Sequence, residues 1–490
     1  MWWKEAVFYQ IYLQSFCDSN DDGVGDIPGV TSQLDYLQKL GVDALWLTPF
    51  YKSPFKDFGY DIENYYEVDP LFGNIEDFKT LLSRAHEKGL KIIIDMAFSH
   101  SSDQCPYFLN SNRSEKNMYS DWYVWADGKS DGSPPNNWKS IFGGDAWTYS
   151  KNRKQFYLHN FLAEQPDLNF HNPAVQDEVL KIMRFWYELG VDGFRLDVCN
   201  FYFHDQKLRD NPPRPKNERP TGGSILNSPY QHQLHIFDKD QNENLLFLEL
   251  MRKTSDTYQE KFLMAEIASD QQTKIIREYT TGHRLHSAYS FELLVDHFSV
   301  DEIIRVGKEL SEHHPCWSFS NHDVRRVATR WAQGDPEVAK NLFVLLLSLK
   351  GTPIIYQGEE CGFEESDLAY EDLVDPYGLA FYPDFKGRDG CRTPMAWASV
   401  MPKMWLPVDS KHKQHSIDKQ DQDPLSFLNF ARQWINFRKQ YKEILAHGEI
   451  EFLVTAEEFH VLRKYKSDKL RFVFTTDFKK FRVIHADKNK

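Results

Sequence analysis

Charged and polar side chains stand at the ends of several short apolar segments in this sequence. Within GFRLDV, Arg195 and Asp197 are two residues apart, so on a strand both side chains would lie on the same face. A buried strand carries such a pair only where both charges are needed, because burying charge is unfavourable. A lone Arg-x-Asp is more often a structural ion pair, so the other groups decide the interpretation. These other groups are Asp95 with His100, Glu266, Asn321-His322-Asp323 and Gln357-Gly358-Glu359.

Eight apolar segments carry these groups, and helix-like stretches such as 30–41 and 75–89 separate several of them. Continuous apolar strands that alternate with amphipathic helices favour a parallel sheet covered on both faces. Eight such units predict an α/β fold, the (β/α)8 TIM barrel. An open doubly wound sheet usually has a glycine-rich phosphate turn, and the sequence contains no G-x-G-x-x-G motif. The segments are VFYQIY (7–12), DALWLTP (43–49), KIIIDM (91–96), GFRLDV (193–198), KFLMAE (261–266), HSAYSF (286–291), PCWSFSNHD (315–323) and TPIIYQGEE (352–360).

In such a barrel the loops after the strands form the mouth, so the acids would converge there. Carboxylates that are brought together repel one another, and several at one mouth therefore indicate a functional need. Two carboxyl groups that flank one bond are the groups that hydrolyse glycosides. The sequence thus predicts a catalytic site for this chemistry at the barrel mouth.

The spacing of the segments divides the chain into parts. The barrel would occupy 1–99 and 171–447. The long stretch 100–170 after the third strand is rich in Ser, Asn, Gly and Trp, and it predicts an inserted subdomain. Short apolar runs in 448–490 predict a small C-terminal antiparallel β domain. A Pro-rich loop is predicted at 207–223, after the fourth strand.

A set of motifs runs in order from residue 8 to residue 397. The motifs are YQIYLQSF, FGYDIENY, DMAFSH, GFRLDV, AEI, SNHD, YQGEE and GRDGCRTPMAW. In these motifs and their order the chain resembles the α-amylase superfamily of retaining glycoside hydrolases, and within it the bacterial α-glucosidases and oligo-1,6-glucosidases. One motif alone would be weak, whereas the ordered set is specific because each motif stands in its expected structural context.

The resemblance implies roles for the three catalytic acids. Asp197 would be the nucleophile that forms a covalent glucosyl-enzyme. Glu266 would protonate the leaving oxygen and then activate water, which requires a raised pKa. Arg195 would keep Asp197 ionised, because a nearby cation lowers the pKa of a carboxyl group. Asp323 would bind sugar hydroxyls and favour the distorted ring of the transition state.

The resemblance also implies residues that bind the substrate. An acid and an arginine would grip the terminal glucose and close the pocket, which implies attack at the non-reducing end; these are Asp61 and Arg392. Two aromatic residues of the inserted stretch, Phe142 and Phe161, would line the acceptor side. The remaining substrate-binding residues of the prediction are Tyr60, His100, Arg195 and His322.

The resemblance leaves the preferred linkage open. Val198, directly after the nucleophile, is the residue type associated with α-1,6-acting members of the family. The segments DWYVWAD, PPNNWKSIFGG, QFYLHNF and FHDQKLRDNPP instead look like those of glucosidases that prefer short α-1,4 substrates and transfer glucose to alcohols. We expect a retaining, exo-acting α-glucosidase with maltose-type activity, appreciable α-1,6 tolerance and transglucosylation. An oligo-1,6-glucosidase is the alternative.

Two rival classes of protein are less well supported. A non-catalytic scaffold relative would lack acids at the catalytic positions, and this chain has them. A sugar isomerase or synthase would use the same covalent intermediate. The Arg-Leu-Asp-Arg-Asp run of the isomerases is absent, because only RLDV occurs.

A loop near the N-terminus has the spacing of a cation-binding segment. Oxygen-bearing side chains stand at the first, third, fifth and ninth positions, and the carbonyl of the seventh residue is available. The first part of a calcium loop has this pattern, but the acid of the twelfth position is missing. We expect a structural divalent cation, Ca²⁺ or Mg²⁺, and no organic cofactor. The ligands would be Asp18, Asn20, Asp22, Val24 and Asp26.

The composition limits the partners and the compartment. The net charge of −14 argues against nucleic acid as a partner. No apolar run is long enough to cross a membrane, and the N-terminus lacks the layout of a signal peptide. The six cysteines have no C-x-x-C spacing, so neither a zinc site nor a disulfide framework is expected. We expect a cytoplasmic monomer or weak homodimer that acts on small oligosaccharides.

Overall fold

The structure is a computed structural model that describes residues 1–215 and 228–486, and its largest element is an eight-stranded parallel sheet. Each of the eight strands coincides with a predicted segment, and only the fifth extends beyond its segment, by Ile267, so the predicted (β/α)8 architecture is confirmed. Part of the Pro-rich loop predicted at 207–223 lies outside the described residues. In chain order the eight barrel strands are Phe8–Ile11, Ala44–Leu47, Lys91–Met96, Gly193–Leu196, Phe262–Ile267, Ser287–Ser290, Cys316–Ser318 and Thr352–Tyr356.

The hydrogen-bonded ladder of this sheet runs in the order six, five, four, three, two, one, eight, seven. The sixth and seventh strands are the two ends of the ladder, and side-chain contacts join them. Ser287 Oγ donates to the carbonyl of His314 at 3.0 Å and contacts Cys316 Sγ at 3.2 Å. The sheet therefore curls into a barrel whose seam lies between these two strands.

Side chains alternate between the inside and the outside of the barrel. Ile93 packs in a cluster with inward-facing residues of the other strands, whereas both of its neighbours belong to the outer core that the helices cover. Met264 and Tyr289 belong to the same inner cluster. Because the period of a strand is two, Asp95 and Glu266 continue the inward face beyond Ile93 and Met264. The polar ends of the strands thus point into the barrel mouth.

Helices follow most of the strands and bury one face against them. The helix Ile75–Glu87 begins with a capping box in which Asn74 and Asp77 satisfy each other's backbone amides. The predicted helix 30–41 is two helices that break at Gln33, and Gly41 ends the second with a φ of +97°. The helices are Ile27–Ser32, Leu34–Leu40, Ile75–Glu87, Pro106–Ser111, Pro173–Leu189, Glu243–Ser255, Gln272–Thr280, Val300–Glu309, Val327–Arg330, Pro336–Ser348, Pro376–Phe381, Ser410–Gln414, Ile417–Gln422 and Phe427–Gln440.

Two smaller sheets lie in the inserted stretch and at the C-terminal end. The strands Trp125–Ala126, Trp147–Ser150 and Gln155–Leu158 form a three-stranded antiparallel sheet. Trp138 and Trp147 centre a separate hydrophobic cluster there, as expected of a subdomain. A short hairpin pairs Tyr51–Lys52 with Asn64–Val68. The predicted C-terminal antiparallel domain is confirmed as four strands: Glu449–Val454, Glu458–Tyr465, Asp468–Thr475 and Phe481–Ala486.

Across the described ranges, none of the helices has both the length and the apolar character that a membrane crossing requires. All six cysteines lie in these ranges and are free thiols.

Candidate active site

A cavity of about 680 Å³, including the solvent at its entrance, opens at the carboxyl end of the barrel strands. All three predicted catalytic acids line it, together with four of the predicted substrate-binding residues. The other predicted substrate-binding residues, Asp61, Arg195, His322 and Arg392, are buried outside its lining. The lining consists of Asp57, Tyr60, His100, Ile141, Phe142, Phe161, Asp197, Val198, Glu266, Ala268, Phe291, Asp323, Tyr377 and Arg388.

Arg195 binds the two reacting acids from inside the barrel. Its Nη1 donates to Asp197 Oδ1 at 2.5 Å and to Asp95 Oδ1 at 2.8 Å. Its Nη2 lies 2.5 Å from Glu266 Oε1 and donates to the hydroxyl of Tyr289 at 2.8 Å. Two carboxylates on one guanidinium are closely spaced, which favours the separation of about 5–5.5 Å found in retaining enzymes over the wider one of inverting enzymes.

Burial has the largest effect on the pKa values of Asp197 and Glu266. It raises the pKa of Asp197 to about 7 and that of Glu266 to about 7, while the charge of Arg195 opposes both shifts. Arg195 lowers the pKa of Asp197, as expected, but desolvation outweighs the effect of this cation. Both carboxyl groups therefore have pKa values near neutral pH, in the range that suits an acid and a nucleophile on one bond.

Asp323 has a different environment. Arg392 Nη2 donates to its Oδ1 at 3.0 Å, and Arg388 Nη1 lies 3.4 Å from the same oxygen. Burial acts to raise the pKa of Asp323, but the charges of His322 and of the two arginines together lower it below its usual range. Asp323 is thus a fixed negative charge on the cavity wall.

Two histidines are held in single orientations. Ser99 Oγ lies 2.9 Å from Nδ1 of His100, and Nε2 of His100 faces the carbonyl of Tyr60 at 3.1 Å. His322 Nδ1 accepts from Gln10, so its Nε2 carries the proton, 2.6 Å from the hydroxyl of Tyr60. Burial lowers the pKa of His100 to about 4, so this ring faces the cavity as a neutral imidazole.

The predicted pair Asp61 and Arg392 is buried outside the cavity lining, and its role in gripping the terminal glucose stays a prediction. Asp61 is fully buried, and its carboxylate accepts from the amides of Lys56 and Asp57 and from Ser53 Oγ. The side chain folds onto its own loop because that turn leaves amides without other partners.

Asp57 and Arg388 form an ion pair in the cavity lining. Arg388 Nη2 donates to Asp57 Oδ1 at 2.7 Å, and both residues line the cavity. A second carboxylate, Asp375, holds Arg388 from behind at 2.7 Å. Arg388 lies in the motif GRDGCRTPMAW, which also contains Arg392, whereas Asp57 directly precedes the motif FGYDIENY, which contains Asp61. Spacing alone could not choose between them.

The other side of the cavity is aromatic. Phe142 packs against Phe161 at 5.8 Å between ring centroids and against Tyr377 at 4.8 Å. The guanidinium of Arg388 lies 5.1 Å above the ring of Phe142. Phe142 and Phe161 are thus on the cavity wall, as predicted for the acceptor side. Sequence reasoning missed Tyr377, since a lone tyrosine in the short helix Pro376–Phe381 gives no signal.

The predicted cation-binding loop uses its side chains for its own backbone. Asp18 accepts the amides of Asn20, Asp21 and Gly23, and Asp26 caps the following helix at the amide of Gly29. In the part of the chain that the structure describes, no three His, Cys, Asp or Glu side chains converge as a cation cage. The donor set itself, carboxylates with an amide and a carbonyl oxygen, suits Ca²⁺ or Mg²⁺. The cation therefore stays a prediction.

Comparison with known proteins identifies relatives along most of the chain. A model of the alpha amylase catalytic domain matches residues 10–448. A "Probable alpha-glucosidase" of Rhizobium meliloti is 48% identical, over 96% of this chain and 89% of its own length. The oligo-1,6-glucosidase of Heyndrickxia coagulans is 35% identical, over 96% of this chain and 91% of its own. The crystal structure of the alpha-glucosyl transfer enzyme XgtA matches with a TM-score of 0.95 at 48% identity, covering 96% of this chain and 91% of that one.

Proposed function

Because this chain belongs to the α-amylase catalytic-domain family, we propose that it releases α-glucose from the non-reducing end of maltose and other short α-glucosides. It is a glycoside hydrolase of the α-glucosidase type. The observation that carries the proposal is the shared guanidinium: Asp197 and Glu266, distant in sequence, both bind Arg195 and both line one cavity.

The proposed reaction is a double displacement. A carboxylate oxygen of Asp197 attacks the anomeric carbon, the glycosidic bond breaks, and Glu266 gives its proton to the leaving oxygen. Glu266, now ionised, then takes a proton from water as the water oxygen bonds to the same carbon and releases Asp197. Two inversions give net retention. The pKa values near 7 suit both the protonated and the ionised role of Glu266.

Attack at the chain end is supported by the closed side of the cavity. In this proposal the Asp57–Arg388 ion pair, which is backed by Asp375, excludes a second sugar at that end. Its charged oxygens and nitrogens are suited to the hydroxyls of a terminal glucose. An endo-acting enzyme requires a groove that is open at both ends.

Transfer of glucose to acceptors other than water is also part of the proposal. The acceptor side presents Phe142, Phe161 and Phe291, whose rings stack on sugars or other apolar rings and displace water. An acceptor hydroxyl would then compete with water for the glucosyl-enzyme. The α-glucosyl transfer activity named for the similar crystal structure supports this step.

The linkage preference is proposed as α-1,4 with α-1,6 tolerance. An oligo-1,6-glucosidase is the second candidate, because several relatives carry that name and Val198 lines the cavity. We also propose that the protein works in the cytoplasm as a monomer or weak homodimer. Its free cysteines agree with a reducing compartment.

Hydrolysis of maltose and isomaltose by the purified protein tests the function. We expect a higher kcat/KM for maltose, and a strong isomaltose preference would establish the second candidate instead. Asp197→Asn should lower kcat for an aryl α-glucoside by about 10³-fold or more, as loss of a nucleophile does. The matched control is Asp35→Asn, an exposed aspartate paired with Lys88, which should keep full activity. Near-full activity of Asp197→Asn would exclude the proposed mechanism.

A further inference from the structure

Tyr289 is a buried residue of the sixth barrel strand that neither the sequence motifs nor the cavity lining singles out. It is 1% exposed and packs inside the barrel, with its ring centroid 5.8 Å from that of Trp46. Its hydroxyl accepts from Arg195 Nη2 at 2.8 Å and donates to Glu266 Oε1 at 2.8 Å. Arg195, Tyr289 and Glu266 Oε1 therefore form a closed triangle of two hydrogen bonds and one ion-pair contact.

The triangle makes the two oxygens of Glu266 unequal. Oε1 accepts the hydrogen bond of the Tyr289 hydroxyl. It also lies 2.5 Å from Nη2 of Arg195. Oε2 receives only the amide of Val198, at 3.1 Å. A proton on an oxygen that already accepts a hydrogen bond and lies 2.5 Å from a guanidinium nitrogen would be repelled by that positive charge. The proton of the neutral acid must therefore sit on Oε2.

We propose, on the basis of the function proposed above, that Tyr289 is a positioning residue that holds the catalytic proton of Glu266 on Oε2. Tyr289 does not touch the substrate and acts only through Glu266. The phenol donates its hydrogen bond to Oε1 in both protonation states of the acid, so the carboxyl group keeps one orientation through protonation and reprotonation. Without the Tyr289 hydroxyl, Oε1 has a free lone pair. The carboxyl group of Glu266 can then rotate, and its proton can move from Oε2 to Oε1.

Burial raises the pKa of Glu266, and the phenol hydrogen bond opposes that rise. Removing the hydroxyl therefore has a defined sign. The pKa of Glu266 should increase, so the basic limb of the kcat/KM profile should move to higher pH. A residue with a merely structural role would lower stability without moving this limb.

The test compares two substrates in Tyr289→Phe. Maltose needs protonation of a sugar alkoxide, whereas α-glucosyl fluoride releases a good leaving group that needs little acid help. General acid catalysis contributes about 10²–10⁴-fold, so partial loss should lower kcat/KM for maltose by about tenfold or more. The value for α-glucosyl fluoride should change by less than about twofold.

Tyr9→Phe is the matched control. Tyr9 is a fully buried tyrosine whose hydroxyl donates to Glu360 Oε1 at 2.7 Å, away from the cavity. It should show a comparable drop in Tm with no difference between the two substrates and no shift of the basic limb. If Tyr289→Phe does not fold, 3-fluorotyrosine at position 289 keeps the ring and strengthens the donor, and it should move the basic limb to lower pH.

Three results would overturn the proposal: equal losses on both substrates, unchanged kcat/KM on both, or an unmoved basic limb in both 289 variants. The wild-type assay separates this inference from the function itself. A wild-type protein that hydrolyses neither substrate would refute the proposed function. An active wild type with an indifferent Tyr289→Phe would refute only the role of Tyr289.

Discussion

Replacing Arg195 by lysine keeps the positive charge at the base of the active site but removes the guanidinium with its two terminal nitrogens. The two terminal nitrogens of Arg195 serve different acids: Nη1 binds Asp95 and Asp197, and Nη2 binds Glu266 and Tyr289. A lysine ammonium is one point charge and cannot occupy both positions. One of the two reacting carboxyl groups must therefore lose its cation.

The size of the effect follows from these contacts. A hydrogen bond to a charged group contributes about 1.5–3 kcal/mol, and 1.36 kcal/mol corresponds to about one pKa unit. Loss of the contact to Asp197 raises its pKa by about 1–2 units above the value of about 7. The nucleophile then ionises only at higher pH, and the acid limb moves up. Loss of the contact to Glu266 raises the basic limb instead, so either outcome moves the profile to higher pH.

The assay is kcat/KM for an aryl α-glucoside over the range of about pH 5 to 9. Arg195→Lys should shift the profile by about 1–2 units and lower kcat/KM below neutral pH by about 10–100-fold. Arg438→Lys is the control, because Arg438 is equally buried but binds only backbone carbonyls far from the cavity. It should lower Tm without moving the profile. A profile of Arg195→Lys that stays in place or moves to lower pH would refute the reasoning.

Two further changes test the closed end of the cavity and the predicted cation. Asp57→Asn should raise KM for maltose by about tenfold or more, because it weakens one charge-assisted contact to the terminal glucose. Asp61→Asn should mainly lower Tm, because Asp61 accepts hydrogen bonds from the amides of its own loop. The opposite pattern in steady-state kinetics and thermal melts would support the pair predicted from sequence. A chelator should lower Tm and change kcat by less than about twofold, because an ion in the loop of Asp18, Asp22 and Asp26 would offset the repulsion between these carboxylates. A Tm that is indifferent to chelator and to added Ca²⁺ would show that the turn is held by its own hydrogen bonds.

Local pattern was enough to predict the strands and the face on which their polar residues lie. The eight barrel strands coincide with the predicted segments to within one residue because a strand buried on both sides is a short run of apolar residues with clear ends. The pairing of Arg195 with Asp197 followed from a period of two, which is a property of the backbone alone. The ordered motifs then indicated the family, and the match over residues 10–448 confirmed it.

Helix continuity and loop geometry were predicted less well. The helix predicted at 30–41 is interrupted at Gln33, although its apolar spacing is compatible with one helix. Asp57 and Asp61 are four residues apart in one loop, and only the path of the chain decides which carboxylate reaches Arg388 and which turns back to the loop amides. Side-chain direction in a loop has no fixed period, so spacing carries little information there.

The sequence by itself determined the barrel, the inward face of its strands and the residue types that can cleave a glycosidic bond, because these depend on alternation and composition within a few neighbouring residues. Only the tertiary structure decided which carboxyl groups contact the same arginine. Arg195 contacts acids at the ends of three strands, and the hydroxyl of Tyr289, on a fourth strand, donates to one of them. Burial raises the pKa values of these acids by more than Arg195 lowers them. Coulombic and desolvation energies depend on distance in space, and residues about a hundred positions apart become neighbours only when the sheet closes.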